Sequence, residues 1–232
     1  MTRPTQLDPQ YVNRCVSLPY GLQVTEVREA VKETYRLLNG LHDYLVGAGF
    51  PPLENLVLGN SLSGIISELL VKNIAKASTK LEANLQVGGH PDLLPTGSYP
   101  SNRVLKGEAG IEVKASVQAG GWQGHNPEAC WLMVFRYTLG KHKAGTQLPV
   151  TFVEILCAKV EPSDWSTSGR NRESRRTPTA SITASGAEKL VRTSFTGYLA
   201  SGLGDIETFL LKLAPQSREK QKARGRQPNK LG

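Results

Sequence analysis

The chain has 232 residues, 39% of them hydrophobic, which is enough to bury one core but short for two independent domains. A formal net charge of +8 favours a polyanionic partner without specifying which one. Three widely spaced cysteines (Cys15, Cys130, Cys157) argue against a disulfide framework or zinc knuckle, and no stretch is apolar enough to be a leader or to span a bilayer, so a cytoplasmic protein without a membrane partner is predicted.

The first part of the chain, residues 20–78, is predicted to be helical. Apolar residues recur at helical spacing over 24–46, with charged residues between them, which indicates an amphipathic helix. Glycine and proline interrupt this pattern at 47–52, and a second, buried helix is expected from about residue 60 to residue 77.

The middle of the chain is predicted to form a sheet over residues 88–160. Short apolar runs at 110–117, 131–137 and 150–160 are rich in β-branched and aromatic residues and are bounded by glycine, proline and asparagine. These runs are expected to be strands, because such side chains fit a pleated and half-buried surface.

The C-terminal part is more polar. Residues 161–180 are predicted to be a long loop, and two helical patterns follow at 187–199 and 205–213. Residues 215–232 hold six basic residues and one acidic residue, a net charge of +5, which leaves +3 for residues 1–214. This basic tail has too few apolar residues to pack, and it is expected to be disordered when unbound.

The elements together predict one domain over residues 1–214, closed by C-terminal helices at 186–213. The fold class is α/β: a mixed central β-sheet flanked by helices, with a helical N-terminal portion and a disordered basic C-terminal tail. The order of the strands does not follow from the sequence.

Two acidic residues and a lysine carry the clearest chemical signal. A strand has a side-chain period of two, so Glu112 and Lys114 project from the same face of their predicted strand. If the chain after Pro91 runs alongside this strand, Asp92 and Glu112 converge as oxygen ligands for Mg²⁺, and Lys114 lies beside the metal-bound water. Hydrolysis of a phosphodiester needs an activated water and neutralisation of developing negative charge, and this grouping supplies both.

These residues resemble the motif of the PD-(D/E)xK nuclease superfamily. Its pattern is an acidic residue after proline, a variable gap, and then an acidic residue, any residue and lysine on a strand; here it reads Pro91-Asp92 and Glu112-Val113-Lys114. The resemblance implies a restriction-endonuclease-like fold in which Asp92 and Glu112 hold Mg²⁺, for which Mn²⁺ would substitute. It also implies a ligand from the Val113 carbonyl and a water-orienting or water-activating role for Lys114.

Members of this superfamily often add to the site an acidic residue from a helix that precedes the motif. Glu68 is the matching residue here, at a position expected to be semi-buried. The alternative for the whole group is structural. Glu112 and Lys114 would then be a solvent-facing alternation on an exposed strand, and Pro91-Asp92 would merely make a turn. The role of His90 stays open: its side chain either approaches the site or caps a turn.

Two loops carry side chains suited to DNA. The glycine-rich segment 120–127 presents amide and imidazole groups, although it equally fits an ordinary turn with Trp122 packed on the core. The second loop is an arginine cluster within 161–180, which suits phosphate or guanine contacts. The candidate DNA-binding residues are Gln123, His125, Asn126, Arg170, Arg172, Arg175 and Arg176.

The sequence therefore predicts a Mg²⁺-dependent endonuclease of double-stranded DNA, preferably a type II restriction enzyme acting as a homodimer, because cutting both strands needs two active centres. A repair, phage-encoded or junction-resolving nuclease is the alternative within the same superfamily. A non-enzymatic DNA-binding protein is the alternative outside it. An RNA-binding accessory protein is a third one, which the aromatic content of only 6% disfavours.

Overall fold

A computed structural model describes residues 3–7, 16–124, 127–141, 147–167 and 179–192. Within these residues the fold is mixed α/β. The helices are α1 (Val24–Gly47), α2 (Leu53–Leu56), α3 (Gly59–Ala77) and α4 (Ala184–Arg192). The strands are β1 (Leu81–Ala83), β2 (Leu93–Pro95), β3 (Ile111–Ser116), β4 (Gln123–Gly124), β5 (Cys130–Lys141), β6 (Gln147–Val160), β7 (Trp165–Thr167) and β8 (Ala180–Ile182).

The main sheet has five strands in the order β1-β2-β3-β5-β6. β3 and β5 are parallel, and the other neighbouring strands are antiparallel. A smaller sheet contains β4, β8 and β7 in that order. β3 is paired along its whole length with β5 but meets β2 at one pair, Leu93 and Ile111, so no strand among the described residues pairs with the rest of that edge of β3.

One face of the main sheet packs against the long helices. The buried stripe of α3, which includes Ile66 and Leu70, lies in one core cluster with Ile111, Val113 and Ala115 of β3. The other face packs against α4 and the small sheet through a second cluster that contains Trp122 and Leu190. Both faces of the long strands are thus covered, and this explains why β5 and β6 read as nearly continuous apolar runs.

The sequence predictions for the long elements are confirmed. The predicted helices at 24–46 and 60–77 correspond to α1 and α3, and the predicted strands at 110–117, 131–137 and 150–160 correspond to β3, β5 and β6. The sheet begins earlier than predicted, because β1 precedes residue 88. None of the described helices combines the length and apolar character needed to cross a bilayer.

The prediction of a continuous loop over 161–180 is wrong for Trp165–Thr167, which form β7 and pair with β8. Trp165 packs against the second core cluster, and its indole N–H donates to the Glu128 carbonyl oxygen at 2.9 Å. This burial outweighs the polar composition of the segment. The first part of the predicted helix at 187–199 corresponds to α4, which begins three residues earlier, while 193–199, the predicted helix at 205–213 and the basic tail lie outside the described residues.

Tyr35→Phe is expected to destabilise the fold, because the Tyr35 hydroxyl accepts a hydrogen bond from the Phe152 amide at 2.7 Å, beside the register shift between β5 and β6. Losing this acceptor leaves a buried N–H unpaired, which costs about 1–3 kcal/mol. For a chain of this size each kcal/mol lowers the melting temperature by roughly 2–4 °C. The exposed Tyr44 provides the matched control, and equal melting temperatures for Tyr35→Phe and Tyr44→Phe would contradict the prediction.

Candidate active site

A glycine allows the two halves of the candidate motif to meet. Gly110 precedes β3 with φ of +146°, and a Cβ there would overlap the Leu93 carbonyl oxygen and the Pro91 ring. Any larger residue would push the chain around Pro91 away from the start of β3. Gly110 therefore brings Asp92 alongside the strand that carries Glu112 and Lys114.

Asp92 completes the edge of β3 that β2 leaves open. The Val113 amide donates to Asp92 Oδ2 at 2.8 Å, and the Ala115 amide donates to Ser67 Oγ on α3 at the same distance. Backbone amides of this kind need acceptors, and two side chains take the place of the missing strand. This interaction fixes the Asp92 carboxylate beside the strand.

The loops around Asp92 are tied together by one amide side chain. Asn84 Nδ2 donates to the carbonyl oxygens of Pro91 and Val104, and its Oδ1 accepts from the amides of Gln86 and Val104. The His90 backbone adds two hydrogen bonds, one to the Leu105 carbonyl at 3.1 Å and one from the Gly107 amide at 2.7 Å. His90 is thereby held on a braced loop that faces β3.

Glu112 is the centre of the polar group. Lys114 Nζ lies 2.6 Å from its Oε1, and His90 Nδ1 donates to its Oε2 at 2.8 Å. The Glu112 side chain is only 12% exposed and that of Lys114 is 29% exposed, so they are not a solvated surface pair. Burial alone would raise the pKa of Glu112, but His90 and Lys114 outweigh it and lower the pKa to about 2.

The pKa of Asp92 is shifted in the opposite direction. Burial and the nearby Glu112 carboxylate raise its pKa to about 7, against the hydrogen bond from the Val113 amide and the charge of Lys114. Burial opposes the charge of Lys114, yet Glu112 and Asp92 prevail and raise its pKa. Two carboxylates with pKa values moved apart and one ammonium thus share a site of low accessibility, which is typical of functional positions.

The site extends to residues that lie outside the candidate motif. His90 Nε2 is 3.4 Å from Glu128 Oε2, and Lys106 Nζ is 3.3 Å from Glu128 Oε1. Contacts with the Cys130 thiol and with Glu112 raise the pKa of His90 to about 10. These side chains line a cavity of about 320 Å³, whose wall also includes Lys114 and Trp165.

Sequence reasoning missed Glu128 and Lys106, since nothing in their spacing connects them with Glu112. His90, whose role the sequence left open, contacts Glu112 and so lies in the polar group. The expected semi-buried position of Glu68 is wrong: its side chain is 77% exposed and pairs with Lys72 at 3.8 Å, while its neighbour Ser67 faces β3.

Of the candidate DNA-binding residues, Gln123 is exposed in β4, opposite Ser181 of β8. Trp122, by contrast, is buried in the second core cluster, with its indole N–H donating to the Gln118 carbonyl at 3.2 Å. The remaining candidates lie outside the described residues: His125, Asn126, Arg170, Arg172, Arg175 and Arg176.

The donor set fits a hard divalent cation. No group of three or more His, Cys, Asp or Glu side chains in the described part of the chain is arranged to hold a metal ion, but Mg²⁺ requires only one or two carboxylates and keeps several waters. Asp92 and Glu112 provide the carboxylates, and the Val113 carbonyl points to the same strand edge as its amide, beside Asp92. A cation there would offset the mutual repulsion that raises the pKa of Asp92.

No protein-family model matches the chain, and no curated protein sequence matches it. The chemical possibilities therefore come from the geometry of Asp92, Glu112 and Lys114: oxygen ligands for a cation, and a buried ammonium next to them.

Gly110→Ala is expected to destabilise the protein by about 2 kcal/mol or more, because the added methyl group overlaps backbone atoms in a conformation that favours glycine. Thermal unfolding would measure this loss. Gly64→Ala is the matched control, since a Cβ at Gly64 meets nothing within 4 Å, and helix propensity favours the change. A Gly110 variant as stable as wild type would show that Pro91 and β3 can separate without cost.

Asp92→Asn is expected to raise the stability of the metal-free protein at neutral and alkaline pH. The pKa of Asp92 is about 7 in the folded chain and about 3.9 in unfolded chains. The folded state therefore binds the proton more tightly, and its stability falls as pH rises from about 4 to about 7. Asparagine stays neutral, so the gain in melting temperature should be on the order of 5 °C above about pH 7 and should disappear near about pH 4.

Melting curves recorded in EDTA across this pH range provide the measurement. Glu68→Gln changes an exposed carboxylate and should shift the melting temperature by less than about 1 °C throughout. An Asp92→Asn variant that is less stable than wild type at every pH would mean that the Asp92 charge is already compensated.

Proposed function

We propose that the protein is a Mg²⁺-dependent nuclease that hydrolyses phosphodiester bonds in double-stranded DNA. One observation carries this proposal: Asp92, Glu112 and Lys114 converge in one largely buried group on β3, beside a cavity that Glu112 and Lys114 line, although Asp92 and Glu112 are 20 positions apart in the sequence. An acidic pair beside an ammonium group matches what phosphodiester hydrolysis needs. It also agrees with the resemblance to the PD-(D/E)xK superfamily.

Asp92 and Glu112 would hold the cation, with the Val113 carbonyl as a third oxygen ligand. Mg²⁺, or Mn²⁺ in its place, supplies a more acidic water and neutralises negative charge on the phosphate. Lys114 keeps its positive charge in this buried place because Glu112 and Asp92 surround it. Its ammonium hydrogens can donate to the attacking water or to a phosphate oxygen, and so hold either one in line.

Double-stranded DNA is the proposed substrate because of the resemblance to the PD-(D/E)xK superfamily, and the net charge of +8 favours a polyanion whose phosphates the chain can neutralise. Lys106 stands at the cavity with a largely exposed side chain and offers one phosphate contact. A type II restriction enzyme acting as a homodimer is our preferred form. A repair, phage or junction-resolving nuclease is the alternative with the same chemistry.

Cleavage of unmethylated phage DNA tests the proposal. Discrete fragments are expected with Mg²⁺ and none with EDTA. Asp92→Asn and Lys114→Met should lower the cleavage rate by about 100-fold or more. The first change removes a ligand of the cation, and the second removes the ammonium that donates to the attacking water or to a phosphate oxygen. Glu68→Gln is the matched carboxylate control and should cleave at the wild-type rate, since Glu68 is exposed and bound to Lys72.

Each other outcome has a definite meaning. A smear in place of fragments would indicate a nonspecific or structure-specific nuclease. DNA that shifts on a gel but stays uncut with Mg²⁺, both for wild type and for Lys114→Met, would favour a non-enzymatic DNA-binding protein. Loss of cleavage in Glu68→Gln equal to that in Asp92→Asn would show that Glu68 belongs to the site.

A further inference from the structure

Exposed apolar side chains are concentrated in the segment that joins the two long helices and in the adjoining ends of those helices. Of the twelve large hydrophobic side chains that are exposed among the described residues, eight lie in the continuous stretch from the second half of α1 through α2 to the first turns of α3. We call this surface the end patch. It consists of Leu37, Leu41, Tyr44, Val46, Phe50, Leu56, Leu58 and Ile65.

The end patch arises because the apolar residues of α1 continue at helical spacing beyond Leu38, the last residue of α1 that is buried. Val27, Val31 and Leu38 are buried against the sheet and α3, and the same helical spacing continues to Leu41. Leu41, however, is exposed, as are Tyr44 at 73% and most residues of the following connection. The helix therefore presents a continuation of its core-facing stripe to solvent.

The charges of this stretch exclude a polyanionic partner. No lysine or arginine occurs between Arg36 and Lys72, although the whole chain contains 28 of them. Of the three acidic residues between these positions, Asp43 is bound by Arg3, the Glu54 side chain is only 7% exposed, and Glu68 pairs with Lys72. Nucleic acid and anionic lipid surfaces are bound through basic residues, so neither fits the end patch.

The size of the patch fits a protein interface. Eight exposed side chains of this kind present several hundred Å² of apolar surface, at or above the roughly 300–600 Å² of the largest patch on a typical monomer. A standard interface buries about 800 Å² on each partner. Burying the end patch would thus supply most of one side of such an interface.

We propose that the end patch is the surface through which two copies of this chain associate about a two-fold axis. A surface that meets its own copy must be complementary to itself, and like-charge repulsion is limited here because the exposed carboxylates of this stretch are paired, Asp43 with Arg3 and Glu68 with Lys72. The positive excess of the chain lies outside residues 37–71, so it does not oppose the contact. This inference deepens the proposed function by assigning a surface to the homodimer, and it uses none of the site residues.

The mass of the full chain in solution tests the proposal, measured by light scattering and sedimentation without DNA or metal. Wild type should be a dimer at micromolar concentration. Tyr44→Lys combined with Leu58→Lys should raise the dissociation constant by about 100-fold or more, since buried anchor residues of an interface carry most of its binding energy. Both side chains are about three-quarters exposed, so the monomer should keep its fold and melting behaviour.

The control is Val87→Lys combined with Leu105→Lys, which places the same charges on two exposed apolar residues outside the end patch and should leave the dimer intact. A monomeric wild type, or a patch variant that dimerises like wild type, overturns the proposal. If wild type is monomeric and hydroxyl radicals fail to oxidise Tyr44 and Phe50, another segment of the same chain covers the patch instead. Because mass and cleavage are measured separately, a monomeric wild type would overturn the end-patch proposal and the homodimeric form of the enzyme, but not the proposed cleavage chemistry.

Discussion

The hydrogen bond from the Val113 amide to the Asp92 carboxylate is the contact on which the candidate site depends. β2 pairs with β3 only at Ile111, so the next amides on that edge need another acceptor. Asp92 satisfies the first of them and in doing so stands beside Glu112, where burial and like charge raise its pKa. The same interaction that completes the sheet therefore concentrates negative charge at one point. Gly110 permits the close approach, and Asn84 braces the loop that delivers Asp92.

The parts of the fold and of the site that could be predicted from the sequence are those that depend on a single helix or strand periodicity. The strand period of two put Glu112 and Lys114 on one face, and helical spacing gave α1 and α3 within one residue at each end. Glu68 shows the limit of the same reasoning. A single step along a helix turns a side chain by about 100°, and Ser67 rather than Glu68 faces β3. Helical spacing narrows the choice to a few neighbours, but the packing of α3 on the sheet decides which of them reaches the strand.

Contacts between distant segments had no sequence signal at all. Lys106 joins His90 through the parallel bridge of residues 90 and 106, Glu128 joins it from the segment just before β5, and neither pairing has a fixed spacing. The strand β7 was missed for a related reason. Three residues are too few to show a periodicity, and the serine and threonine make the segment look polar. The strand is held by Trp165, which packs against the second core cluster.

The charges at the cavity are balanced within the described residues that line it or adjoin it. Asp92, Glu112 and Glu128 face His90, Lys106 and Lys114, and Glu112 is held from both sides by His90 and Lys114. Buried carboxylates are tolerable only when they are paired in this way. Asp92 is the exception, since its partner is a backbone amide and its pKa remains raised. Asp92 is thus the carboxyl of this group whose charged form is least compensated, and a cation bound beside it and the Val113 carbonyl would stabilise that charged form.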